Sequence, residues 1–310
     1  MRTLICGSIA YDTIMVFNGH FKDHILPDQV HALNVAFLVP SMRREFGGTA
    51  GNIGYNLRLL NGDPIVMATV GDDAAPYRDR LASFGIDDRH VKTIGGTFTA
   101  QAFITTDIAD NQITAFHPGA MDWSHENHVS DAKDVGLGIV SPDGRDGMLQ
   151  HAREFADAKI PFIFDPGQGL PMFDGKELLD LMDIASVITV NDYEAKMMVE
   201  KTGKPLESIG KGDKTLIVTR GAEGSDLYRD GGCVRFSAVT ATELVDPTGC
   251  GDAYRAGLLY GMAHDFDWDT AIRLGSLLGA IKIASGGPQN HSPNADEVAE
   301  RFFAAFGYRY

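Results

Sequence analysis

Short runs of near-continuous apolar character recur along the chain, separated by longer stretches with helical spacing. "TLICGSI" (3–9), "PIVMATVG" (64–71), "GLGIV" (136–140), "IPFIFDP" (160–166), "SVITVN" (186–191) and "KTLIVTRG" (214–221) each predict a strand. Their lack of alternation predicts burial on both faces, as in a parallel sheet. Between them, "AGNIGYNLRLLNG" (50–62), "GMLQHAREFADAK" (147–159) and "DYEAKMMVEKTG" (192–203) carry helical patterning. Strand and helix in alternation predict a doubly wound, mostly parallel α/β sheet flanked by helices.

Two segments break that rhythm. Residues 12–40 and about 94–117 alternate apolar and polar positions, which predicts antiparallel strands with one wet face. Far apart in sequence, they can meet as a small sheet beside the main one. A lid over a pocket is one use for such a sheet, and a homodimer face is another. Beyond residue 248 the pattern is mostly helical. The stretch 269–288 opens on Asp269 as a capping candidate, carries Ala271, Leu274, Leu278 and Ile281 at helical spacing, and stops at Gly286-Gly287-Pro288.

A length of 310 residues suits one α/β domain with a lid rather than two full domains. The net charge of -15 disfavours a nucleic-acid partner, because phosphate backbones need stripes of lysine and arginine. Three cysteines, Cys6, Cys233 and Cys250, lie far apart without metal spacing and fit a reducing compartment. Asp12 interrupts the first apolar run too early for a signal peptide or a membrane span. The expectation is a cytoplasmic protein with no membrane partner.

Candidate chemistry concentrates in "DPTGCGDAYRAG" (246–257). If Asp252 opens a helix, the amides of Gly249, Cys250 and Gly251 point into the space ahead of it, an anion cradle backed by the helix dipole. A carboxylate at the mouth of such a cradle can take the proton from a hydroxyl that attacks a phosphoryl group, while the amides hold the developing charge. Taken alone, the string also suits a plain glycine turn with Asp252 as the helix cap.

The full string resembles the C-terminal signature of the ribokinase-like (phosphofructokinase-B type) sugar and nucleoside kinases. The resemblance implies that Asp252 is the catalytic base and that Gly249, Cys250 and Gly251 form the anion hole, with Cys250 where a smaller residue is usual. "EFGGTAGNIGYNLRLLNG" (45–62) is similar to the N-terminal signature, in which Gly47, Gly48 and Asn52 line the substrate pocket; Gly54 replaces the commoner alanine. "GSIAYD" (7–12) matches the first strand, whose Asp12 grips sugar hydroxyls. "VTRGAEGS" (218–225) matches the nucleotide-binding turn, which implies Thr219, Arg220, Gly221 and Gly224 as ATP contacts. "VNDYEAKMM" (190–198) carries the Asn-x-x-Glu element as Asn191 and Glu194. One helical turn apart, these two can reach the hydration shell of Mg²⁺ or a phosphate, or can close a capping box. Asp246 and Thr248 lie where some members bind a monovalent cation such as K⁺.

Asp12 and Asn52 suit the vicinal hydroxyls of a furanose, a feature common to ribose, fructose and ribonucleosides. "LPDQVHALNV" (26–35), "NQITAFHPGAM" (111–121) and "FDPGQ" (164–168) resemble the nucleoside kinase branch, adenosine kinase-like members included. That branch implies substrate contacts from Gln29 and Gln168 and a nucleotide contact from Gln112. Phe37, Phe103 and Phe116 can enclose a purine ring or serve as core. The expected activity is ATP-dependent phosphorylation of the 5′-hydroxyl of purine ribonucleosides such as adenosine, inosine and guanosine. A kinase for ribose or fructose is the alternative, and a non-catalytic nucleoside-binding protein a remote one. A dinucleotide-binding oxidoreductase would need Gly-x-Gly-x-x-Gly after the first strand, which "CGSIAYD" lacks, and no P-loop string occurs.

Overall fold

The computed structural model describes residues 1–25, 35–109 and 111–310. In chain order the strands are β1 (Arg2–Cys6), β2 (Ala10–Val16), β3 (Ser41–Gly47), β4 (Asp63–Val70), β5 (Asp87–Thr93), β6 (Ala100–Thr106), β7 (Gln112–His117), β8 (Val135–Val140), β9 (Phe162–Phe164), β10 (Val187–Asn191), β11 (Thr215–Thr219), β12 (Ser225–Arg229) and β13 (Gly232–Phe236). The helices are α1 (Thr49–Leu59), α2 (Ala75–Ser83), α3 (Arg145–Asp157), α4 (Gly175–Ile184), α5 (Asp192–Thr202), α6 (Leu206–Ile209), α7 (Cys250–Ala263), α8 (Trp268–Ile283) and α9 (Ala295–Phe306).

Nine strands form the main sheet in the order β13-β12-β11-β10-β9-β8-β1-β4-β5. All pairings from β11 to β5 are parallel, and β12 and β13 close one edge antiparallel. Successive side chains of one strand feed opposite faces. Ile5, Ile139, Ile163 and Ile217 pack with α1, α7 and α8, whereas Leu4, Val140, Phe164 and Leu216 pack with α3, α4 and α5. Burial on both faces is why these strands read as continuous apolar runs.

The small sheet has the order β3-β2-β6-β7. Its outer pairs are antiparallel, but the central pair β2–β6 is parallel, with Ala10 opposite Ala100 and Val16 opposite Thr106. The expectation of a purely antiparallel lid is corrected on this point. β1 and β5 run parallel in the main sheet, and each is followed within a few residues by its lid strand, so β2 and β6 leave in the same direction. β3 lies beyond the expected 12–40 segment.

The capping expectation at Asp269 also shifts. Helix α8 is capped by Asp267, whose carboxylate accepts the Thr270 amide at 2.7 Å, and Asp269 lies in the first turn. The helix ends at Ile283, before the Gly-Gly-Pro signal.

Candidate active site

The site lies where the C-terminal ends of the sheet strands, the lid and the start of α7 come together. Gly48 caps α1 at φ 85°, and a Cβ there would lie 2.6 Å from the Ser8 carbonyl oxygen and the Ala10 nitrogen, so only glycine fits this turn. The turn brings the first turn of α1 against the start of α7. There the Asn52 amide donates to the Asp252 carboxylate at 2.8 Å. Asn52 is itself oriented: its carbonyl accepts from Gln289 Nε2 at 3.0 Å, and the same nitrogen donates to the Tyr77 hydroxyl at 2.8 Å.

Helix α7 starts at Cys250, two residues earlier than expected, with Gly249 at its cap in the left-handed region at φ 81°. Asp252 is therefore the third helical residue rather than the cap. The Cys250 amide donates to the Pro247 carbonyl at 3.2 Å. Among the described residues the amides of Gly249, Gly251 and Asp252 have no acceptor. The open donors thus include Gly249 and Gly251, as expected, and Asp252 in place of Cys250.

Burial raises the Asp252 carboxyl to about 7, against the Asn52 hydrogen bond and the Arg255 charge, which pull it down, and with Asp165 and Asp12 adding to the rise. A carboxyl so tuned can accept a proton near neutral pH. One turn along α7, Arg255 forms a buried ion pair with Asp165 at 2.8 Å. Asp12, on β2, is raised to about 6 by burial and by the charges of Asp246 and Glu45.

Two clefts meet at the start of α7. One, of about 680 Å³, is lined by Asp12, Gly48, Asn52, Phe116, Gln168 and Asp252, with Thr248 and Gly249 at its edge. The other, of about 500 Å³, is mostly apolar and is lined by Thr219, Gly221, Gly224, Tyr254, Cys250 and Gly251. The helix start is the wall between them.

Other expected residues fall differently. Gln29 lies outside the described residues. Gln112 opens β7 opposite Thr106, at the far end of the lid, and lines neither cleft. The Arg220 guanidinium is held by Asp226 at 2.6 Å beside Arg235. Phe37 packs against Phe17 and Phe21 within the lid, and Phe103 is on the lid face opposite Ala102 and Ile104, the β6 residues that line the cleft. Asn191 and Glu194 close a capping box on α5: the Asn191 oxygen accepts the Glu194 amide at 2.8 Å, and Glu194 accepts the Asn191 amide at 2.7 Å.

At Asp246 the carboxylate accepts the Thr248 amide at 2.9 Å and the Gly287 amide at 2.8 Å, while its carbonyl accepts Lys282 Nζ at 2.6 Å. Oxygens already taken by these donors do not fit a K⁺ ion.

Sequence reasoning missed Gln289, the Arg255–Asp165 pair and Asp143. Asp143 lines the larger cleft, is buried, and is raised well above the carboxylate range by desolvation; its Oδ2 has no partner among the described residues. The sequence signals for them were "FDPGQ", which contains Asp165, and "DPTGCGDAYRAG", which contains Arg255, but neither string shows that the two side chains pair.

The pfkB family carbohydrate kinase profile matches residues 12–295. The chain belongs to this family. As a pfkB kinase it is a phosphotransferase acting on a hydroxyl group. It is 29% identical over 302 residues to a nucleoside kinase of Methanothermobacter thermautotrophicus, covering 96% of this chain and 97% of that protein. It is similar to the Burkholderia thailandensis nucleoside kinase in complex with inosine, with 55% identity, TM-score 0.90 and 99% coverage of both chains. The same enzyme in complex with ADP-inosine gives 56% identity and TM-score 0.88, with 99% of this chain and 97% of that one covered.

Proposed function

We propose that this pfkB kinase transfers the γ-phosphoryl group of ATP to the 5′-hydroxyl of purine ribonucleosides. The observation that carries this reading is the position of Asp252, hydrogen-bonded to Asn52, at the wall between two clefts, the larger of which holds the carboxylates of Asp12 and Asp252 and the amides of Asn52 and Gln168. The nucleoside occupies the larger cleft, with Asp12 and Asn52 on the ribose hydroxyls, Gln168 on the substrate and Phe116 against the base. ATP occupies the smaller cleft over Thr219, Gly221 and Gly224. Asp252 takes the 5′-hydroxyl proton as the oxygen attacks phosphorus, and the amides of Gly249, Gly251 and Asp252 stabilise charge on the transferring group. The similarity to an enzyme seen with inosine and with ADP-inosine supports both halves of the assignment.

Mg²⁺ bound to nucleotide phosphates keeps most of its waters and needs only one or two protein carboxylates. The donor set fits that mode: Glu194 keeps one carboxylate oxygen outside its capping box. Glu194, with Asn191, would hold the waters of that ion, which neutralises phosphate charge when bound.

The lid face turned away from the cleft carries Met42, Phe103 and Ile113, all exposed, and is the face assigned to a homodimer. The described cysteines are unpaired, which supports a cytoplasmic setting, and no helix among the described residues is long and apolar enough to cross a membrane.

ADP release measured across adenosine, inosine, guanosine, cytidine, ribose and fructose 6-phosphate tests the substrate. Turnover of purine nucleosides well above the free sugars is expected. Efficient use of ribose or fructose 6-phosphate with none of the nucleosides would overturn the assignment.

A further inference from the structure

Lys282 lies in the last turn of α8 and exposes none of its surface. Burying an ammonium is costly unless its donors are satisfied. Here Nζ donates to the Asp246 carbonyl at 2.6 Å and to the Ser285 carbonyl at 3.1 Å. Those carbonyls come from two segments that are joined directly as well. The amides of Val245 and Asp246 both donate to the Ile283 carbonyl, and the Gly287 amide donates to the Asp246 carboxylate.

Backbone carbonyl oxygens converging from two turns are the ligands a monovalent cation takes in proteins. An ammonium is a compact single positive charge that serves the same oxygens. Its location gives the contact a consequence beyond capping α8. Asp246 begins the loop that runs through Thr248 to Gly249 and the open amides of α7, so whatever fixes its carbonyl fixes the direction of those amides. A diffusible cation approaching the same carbonyl would meet the ammonium charge.

We propose that the Lys282 ammonium is a built-in substitute for a monovalent cation, holding the 246–249 loop under the phosphate cradle so that catalysis needs no K⁺. Lys282 is a positioning residue in this scheme, because it touches the cradle loop and not the reacting atoms. The proposal rests on the kinase reading of that cradle.

The test uses the full chain in potassium, sodium and tetramethylammonium chloride at one ionic strength, reading inosine-dependent ADP release and the thermal unfolding midpoint. Wild-type rates are expected to agree within about twofold across the salts, against the hundredfold that slight misplacement of a reacting group can cost. The midpoints are expected to agree as well, since a cation that bound only the folded chain would raise them. K⁺-specific activation on the order of tenfold, or a K⁺-specific rise in midpoint, overturns the proposal.

Lys282→Ala leaves room for an ion. It is expected to lose kcat by at least about tenfold in tetramethylammonium while keeping KM for inosine, and to regain part of it with K⁺ or ammonium. A folded Lys282→Ala enzyme at wild-type rate without those cations also overturns the proposal. If that variant does not fold, the wild-type salt series decides. If wild-type protein releases no ADP with any nucleoside, the kinase reading has failed, and the midpoint series still decides the role of Lys282.

Discussion

The side-chain amide of Asn52 donates to the carboxylate of Asp252 at 2.8 Å, linking the first turns of two helices whose residues lie 200 positions apart. Gln289 holds the other end of the same amide. Asp252 is thereby balanced between burial, which favours its neutral form, and a hydrogen bond and the Arg255 charge, which favour the carboxylate, with the balance at about 7.

That balance sets a pH profile. Only the deprotonated carboxyl can act as the base, so kcat/KM is expected to rise with pH through about 7 and then level. Asp252→Asn should remove this limb and lower kcat by roughly 10²–10⁴-fold, with inosine affinity largely kept. Steady-state pH profiles and calorimetric titration with inosine check both parts.

Asn52→Ala removes a donor that stabilises the charged form, so the acid limb is expected to move to higher pH. Gln289→Leu frees the Asn52 amide to turn and should move the limb in the same direction by less. A limb unchanged in both variants would place the titration on another group.

Stability carries the opposite sign from the rate. The folded-state pKa of Asp252 lies above its unfolded value of 3.8, so the folded chain binds the extra proton and loses stability as pH rises from 3.8 through about 7. Asp12, raised to about 6, contributes in the same sense over a narrower window. Asp252→Asn is therefore expected to melt above wild type at pH 8, with the gap closing toward pH 4. Thermal unfolding across that range measures it.

The Arg255–Asp165 pair is almost fully enclosed. Arg255→Met leaves a carboxylate buried without its partner and is expected to cost about 3–5 kcal/mol. Chemical denaturation reads the loss.

Under the proposed placement of Asp12 and Asn52 on adjacent ribose hydroxyls, removing one hydroxyl leaves a polar group unpaired in the closed site. Selection of adenosine over 2′-deoxyadenosine by up to about 10⁴-fold in kcat/KM is expected. Equal use of the two would remove the ribose contacts from the assignment.

The chain made its central strands legible because burial on both sides leaves no polar position to interrupt them. β5 escaped for the converse reason: "DDRHVKT" is an edge strand with only Val91 buried. β12 and β13 escaped because Asp226, inside the sheet, is paired with Arg220 and Arg235, a match that no local pattern announces. Residue spacing does not separate an Asn-x-x-Glu capping box from a metal site; the structure shows the box at Asn191 and Glu194 and leaves one Glu194 carboxylate oxygen outside it. The parts of the site that come from distant segments, Gln289 against Asn52 and Lys282 against Asp246, had no signal, since each is defined by a contact across 36 to 237 residues.

The first strand sits mid-sheet, between β4 and β8, so one of its neighbours is not made until residue 135 has left the ribosome. During synthesis "RTLIC" must therefore wait with one backbone edge bare while well over a hundred residues are added. A nascent chain arrested before that point exposes an unpaired strand edge, the kind of surface on which incomplete chains associate with one another.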